Sequence, residues 1–144
     1  NPARLKRAIE ICIQTGKPYS QQRKEQKADR PFSIIKIALN LPREELYSRI
    51  NKRVDAMIEE GLEAEVRSLT KYKDCTALKT VGYREFFDYF DGKCTREEAI
   101  EKIKQNTRKY AKKQITWIKR SNDYRWFSPM ETTGIIAYIE QYIK

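Results

Sequence analysis

At 144 residues, with 40% hydrophobic and 11% aromatic content, the chain is long enough for one domain with a core and too hydrophobic for a disordered segment. Thirty Lys and Arg against twenty Asp and Glu leave a formal charge of +10. That favours a polyanionic partner, a nucleic acid or an anionic membrane surface, without bearing on the fold. No histidine occurs, which excludes a His base, a His–Cys nucleophile pair and a His metal site; Cys12, Cys75 and Cys94 form no C-x-x-C pair, which argues against a disulfide framework or zinc ribbon and suits a reducing compartment.

Residues 2–14 read as a helix: Asn1 can cap it, Pro2 fills its first position, and Leu5, Ala8, Ile9 and Cys12 form an apolar stripe. Gly16 stands where a left-handed C-cap is expected. Residues 17–31 are polar, charged and aperiodic, the pattern of a mobile surface loop, and "FSIIKIALN" (32–40) has the β-branched composition of a buried strand. Pro42 in a first turn, with Glu44 and Glu45 behind it, opens a helix in which Leu46, Ile50, Val54, Met57 and Ile58 keep the helical period. Gly61 marks a break before a second helical piece with Leu62, Val66 and Leu69 inward, and residues 70–80 are a connection. "GYREFFDYFDGK" is a short aromatic helix ending in the turn signal Asp91-Gly92, and Thr95 with Glu98 fits a capping box opening a long helix, 95–120. "DYRWFSP" (123–129) reads as a second short strand and "ETTGIIAYIEQYIK" as an amphipathic final helix.

This order predicts an α/β fold, mostly helical, with two short strands and about six helices in a single domain over 1–144. Two strands do not make an independent sheet, so a missing portion of the sheet is expected. The start at "NPARLKRAIE", a helix at once with no initiator methionine, likewise reads as the interior of a longer chain. Nothing resembles a signal peptide and no apolar run is long enough to span a bilayer, so the cytoplasm is the expected compartment.

The long helix carries the strongest functional signal. At about 100° per residue, Ile100, Ile103, Tyr110, Ala111, Gln114, Trp117 and Ile118 share one sector. Arg108, Lys109, Lys112, Thr116 and Lys119 fall opposite, with Lys113 and Arg120 at their flank. Tyr110 and Trp117 are therefore expected to anchor the helix in the core rather than to stack on bases. A solvated helix face mixes signs four residues apart, yet Asn106 to Arg120 contains no carboxylate. A phosphate backbone would relieve the repulsion, and roughly five or six such contacts would make binding strongly salt-dependent. A membrane-surface helix is the competing use of this pattern, but Gln114 on the apolar side suits a protein core better.

Smaller constellations accompany it. Arg4 and Arg7 lie on one side of a helix N-terminus, an anion-friendly end. Gly82, flanked by Lys79 and Arg84, precedes a helix where backbone can approach a ligand closely. Arg49 and Arg53 share a helix face near Asp55, either as a salt-bridged surface or as a diphosphate clamp. There is no G-x-x-x-x-G-K-[ST] phosphate loop, no paired carboxylates and no Ser or Cys catalytic site. Taken alone, the residues predict a polyanion-binding surface without a complete active site.

"NPARLKRAIE", "REELYSRINKRVDAMIEEGLEAEV", "TVGYREFFDY" and "TRKYAKKQITWIK…WF" occur in an order and spacing that resembles the tRNA dimethylallyltransferases, also called isopentenyl-tRNA transferases, over nearly all 144 residues. The resemblance implies the C-terminal portion of a P-loop-kinase-like transferase with a helical insertion. In that family a dimethylallyl group passes from dimethylallyl diphosphate to N6 of the adenosine 3′ of the anticodon, with the adenosine flipped into a channel. Mg²⁺ assists at the diphosphate, an aspartate serves as base, a threonine positions N6, and a glycine-rich loop holds the diphosphate. Those elements lie upstream in the family, so the resemblance implies no catalytic residue and no metal ligand in this chain, which is expected to be inactive alone.

The implied tRNA contacts fall on three stretches: Ala3, Arg4, Leu5, Lys6 and Arg7; Lys79, Thr80, Val81, Gly82, Tyr83 and Arg84; and Lys112, Lys113, Gln114, Ile115, Thr116, Trp117, Ile118 and Lys119. Arg53, in "RINKRVD", matches an arginine used near the prenyl diphosphate, with Arg49 as a second candidate. Family members often have Arg where this chain has Lys113 and Lys119, which keeps the charge but loses bidentate geometry. The implied partners are the tRNA anticodon stem-loop and, in the full enzyme, dimethylallyl diphosphate; no membrane partner is expected, and the protein is expected to be a monomer. Two rival readings of the residues are a non-enzymatic basic RNA- or DNA-binding module and a basic helical domain that docks an acidic protein.

Overall fold

The structure, a computed structural model, describes residues 1–22 and 31–143. The chain separates into two compact units, Asn1–Ile34 and Ile35–Lys144. In the first, α1 (Pro2–Thr15) begins as its sequence signals require. The Asn1 side chain accepts the Ala3 N–H at 3.1 Å, and Gly16, at φ 64°, donates its N–H to the Cys12 carbonyl at 2.9 Å. No residue of α1 is buried; Leu5 and Ile9 of its apolar stripe are exposed. Within the stretch expected to be a loop the structure has one helical turn, α2 (Tyr19–Gln22), the helix that periodicity did not anticipate because four residues are too few to show a period. The rest of that loop expectation, residues 23–30, lies outside the described residues.

The second unit opens with β1 (Lys36–Leu39) and later returns to pair with it in parallel through β2 (Tyr124–Phe127), in the register Lys36 with Tyr124 to Leu39 with Phe127. The strand expected over 32–40 is thus shorter, because its partner offers only four residues, and only Ala38 of it is buried. Parallel strands need a long crossover, and here it consists of four helices: α3 (Arg43–Glu59), α4 (Leu62–Ser68), α5 (Tyr83–Phe90) and α6 (Arg96–Ile118). Two 3-10 turns, Thr70–Tyr72 and Thr76–Leu78, fill the connection between α4 and α5, and α7 (Thr132–Glu140) follows β2. Pro42 takes the N-cap position rather than the first turn of α3, and Gly61, at φ 103°, makes the expected break between α3 and α4.

The core lies inside the crossover. Val54 of α3, Leu62 and Val66 of α4, Phe86 and Phe87 of α5 and Ile103 of α6 form one buried cluster. The capping box of α6 is complete: Thr95 Oγ1 accepts the Glu98 N–H at 3.2 Å, and Glu98 Oε2 accepts the Thr95 N–H at 2.8 Å. Arg96 donates to Glu63 at 2.7 Å, tying the start of α6 to α4. Lys104 pairs with Asp55 of α3 at 2.6 Å. Among the described residues, no helix is long and apolar enough to cross a membrane.

Candidate nucleic-acid interface

The two halves of α6 do different things. Its first half packs on α3 and α5 through buried Ala99 and Ile103. In the second half the covered side swings by roughly 100° around the helix, counted at the ideal helical repeat: Ala111, Ile115 and Ile118 are half-buried, beside Leu39, Leu41, Leu46 and Pro129. Tyr110 and Trp117, which share their angle with Ala99 and Ile103, are left outside, 59% and 64% exposed. The expectation that both rings anchor the core is therefore wrong, because the partners of the helix change along its length. Arg108 is corrected in the opposite sense: it is 22% exposed and donates to Asn51 of α3 at 2.7 Å and to Glu101 at 3.0 Å. Truncating Trp117 to Ala should accordingly shift stability by no more than about 0.5 kcal/mol, the usual range for a surface change, as thermal unfolding would measure.

What remains on the outer side of α6 is basic. Among the described residues Lys109, Lys112, Lys113, Lys119 and Arg120 have no carboxylate partner, while Arg96, Lys104 and Arg108 of the first half are paired. Lys109, Lys112, Lys113, Thr116, Trp117 and Arg120 border a shallow hollow of about 400 Å³. Lys119 Nζ sits 6.0 Å from the centre of the Trp126 ring. Thr116 donates its hydroxyl to the Lys112 carbonyl at 2.8 Å, and Gln114 is exposed. Of the stretch 112–119, Ile115 and Ile118 thus hold the helix in place and the other six residues face outward.

A second hollow, of about 350 Å³, lies at the head of α5. Thr80, Val81 and Gly82 border it together with Arg53 and Ile50 of α3 and Thr107 and Tyr110 of α6. The structure therefore brings Arg53 to the stretch 79–84. Arg49 is engaged by Glu45, four residues earlier, at 3.0 Å, and does not border the hollow. Lys79 is exposed, and Tyr83 turns away to donate its hydroxyl to Glu65 of α4, a bond that pushes the Tyr83 hydroxyl pKa up. Ala3 to Arg7 form an exposed face of α1, where Arg7 pairs with Glu10 at 3.3 Å.

Glu85 was not singled out by sequence, yet it organises this hollow. It is 1% exposed, and its carboxylate accepts the Gly82 N–H at 2.8 Å, Asn106 Nδ2 at 2.7 Å and Arg84 Nη2 at 3.0 Å. Burial pushes its pKa up, but the bonds from Asn106, Gly82, its own backbone N–H and Arg84 outweigh that and hold it below its ordinary value. Gly82, at φ 102°, occupies a conformation that a side chain would strain. The available signal was the glutamate three residues after a helix-opening glycine.

The sequence model of the family described as IPP transferase matches residues 1–121. The chain belongs to the IPP transferase family. It is 54% identical to tRNA dimethylallyltransferase 1 of Bacteroides thetaiotaomicron, over 96% of this chain and 45% of that protein. It is 50% identical to the tRNA dimethylallyltransferase of Cytophaga hutchinsonii, over 97% of this chain and 46% of that protein. The crystal structure of the tRNA delta(2)-isopentenylpyrophosphate transferase of Staphylococcus epidermidis superimposes with a TM-score of 0.71 at 35% identity, covering 99% of this chain and 48% of that one. The chain thus spans about half the length of the relatives it matches.

Proposed function

We propose that this chain forms the tRNA-gripping part of a tRNA dimethylallyltransferase, which moves a dimethylallyl group from its diphosphate to N6 of the adenosine 3′ of the anticodon. The observation that carries the reading is the second half of α6, where five cations lack carboxylate partners among the described residues beside two exposed aromatic rings. Lysines take phosphates as point charges and fix the register of a nucleic-acid backbone without reading its sequence. Exposed rings offer stacking faces to unpaired bases, which an anticodon loop has and a duplex lacks. The names of the relatives support the same assignment.

The transfer forms a bond between N6 and the prenyl carbon, breaks the bond from that carbon to the diphosphate oxygen, and releases a proton from N6. This chain's share is to hold the RNA and to meet the leaving diphosphate. Arg53, bordering the hollow at the head of α5, is the guanidinium placed for that, while Arg49 is held by Glu45. Mg²⁺ would assist at the diphosphate in the parent enzyme, with its ligands outside this chain; among the described residues no group of three or more His, Cys, Asp or Glu could hold a metal ion. The cytoplasm and a monomeric state are part of the same proposal.

Binding of an unmodified anticodon stem-loop and of duplex DNA, each at two salt concentrations, tests it. The stem-loop should bind more tightly, and its affinity should fall roughly 10²–10³-fold over a four-fold rise in salt if about five phosphates are neutralised. Equal binding to DNA would reduce the surface to a general polyanion site.

A further inference from the structure

Glu85 carries the one buried charged side chain among the described residues. A buried charge is costly, and an apolar residue of similar volume often serves stability as well or better. Its placement here does something an apolar residue would not. One oxygen holds the Gly82 N–H, and the other receives Asn106 from the middle of α6 and Nη2 of Arg84. The wall formed by Thr80, Val81 and Gly82 is thereby fixed to α6, opposite Arg53. Arg84 uses one nitrogen inward, and its side chain is otherwise 57% exposed, leaving guanidinium N–H groups for an anion.

We propose that Glu85 is a positioning residue for the RNA-binding surface: with Asn106 it locks the Gly82 turn onto α6 and holds Arg84 with its outer edge toward an RNA phosphate. This rests on the RNA-binding reading above. The test compares the full chain with Glu85→Gln, Arg84→Ala and the double variant, reading anticodon stem-loop affinity and the hydrogen exchange of the Gly82 amide. Glu85→Gln should weaken binding about ten-fold, Arg84→Ala should cost several-fold, and the double variant should bind no worse than Glu85→Gln, since contacting groups couple rather than add. The Gly82 amide should exchange faster in Glu85→Gln. If that variant does not fold, Asn106→Ala, which spares the Arg84 pair, should still speed Gly82 exchange and weaken binding.

A purely structural carboxylate would leave the Arg84 penalty the same in both backgrounds, and that result overturns the positioning role. So does unchanged Gly82 exchange, or unchanged stem-loop affinity in a folded variant. A parent chain that binds no stem-loop overturns both readings together, whereas stem-loop binding with additive penalties overturns only the role of Glu85.

Discussion

Phe86→Ala should cost about 3–5 kcal/mol of stability, the range for deleting a large aromatic from a core. Phe86 is fully buried, packs against Val54, Leu62, Val66, Phe87 and Ile103, and its ring stacks on Phe90 with centroids 6.0 Å apart. The buried cluster it belongs to draws on all four crossover helices, so a helix that shifts to fill the cavity opens a gap against another. Domain stabilities run to about 5–15 kcal/mol, so a loss of this size removes a large fraction of the whole. Urea unfolding followed by intrinsic fluorescence would measure it. The contrast with Trp117→Ala is the sharper part of the expectation: the larger ring, on the outside, should matter far less to stability. A cost below about 1 kcal/mol at Phe86 would mean that the site collapses freely, against the close packing of protein interiors.

The same helix shows why sequence reading worked in some places and failed in others. Signals confined to a few neighbouring residues transferred intact: Asn1 before Pro2, Gly16, Gly61, and Thr95 with Glu98 each sit where local chemistry puts them. Tyr110 and Trp117 failed because a helical wheel gives a helix one buried side for its whole length, whereas α6 changes partners near its middle. Arg108 failed because its direction was read without its reach; a long guanidinium stem crosses to Asn51 from an angle that looks outward. The different fates of Arg49 and Arg53 are visible in the sequence once the question is asked. Arg49 has Glu45 four residues before it, while the residue four before Arg53 is Arg49 itself. Glu85 and Asn106 lie 21 positions apart with no shared period, and only the packing of α5 on α6 brings them together.

Reversing Lys112 and Lys113 together to Glu should abolish most RNA binding, a loss of about 100-fold or more at moderate salt, while the chain stays folded. Each lysine that neutralises a phosphate adds about one to the slope of log affinity against log salt, so the double reversal should lower that slope by about two. Both side chains are exposed on the second half of α6 without carboxylate partners among the described residues, and neither belongs to the buried cluster. Placing glutamates three and four residues from Lys109 would even relieve like-charge repulsion along the helix, so the unfolding midpoint should hold or rise slightly. The control is an equal change of net charge elsewhere, Lys71→Glu with Lys102→Glu, two exposed lysines outside this stretch. If the control loses as much affinity as the test, the attraction belongs to the charge of the whole molecule. If only the Lys112 and Lys113 pair collapses binding and flattens the salt slope, the phosphates sit on the second half of α6, and the covered side that swings away beneath it is what leaves that face open.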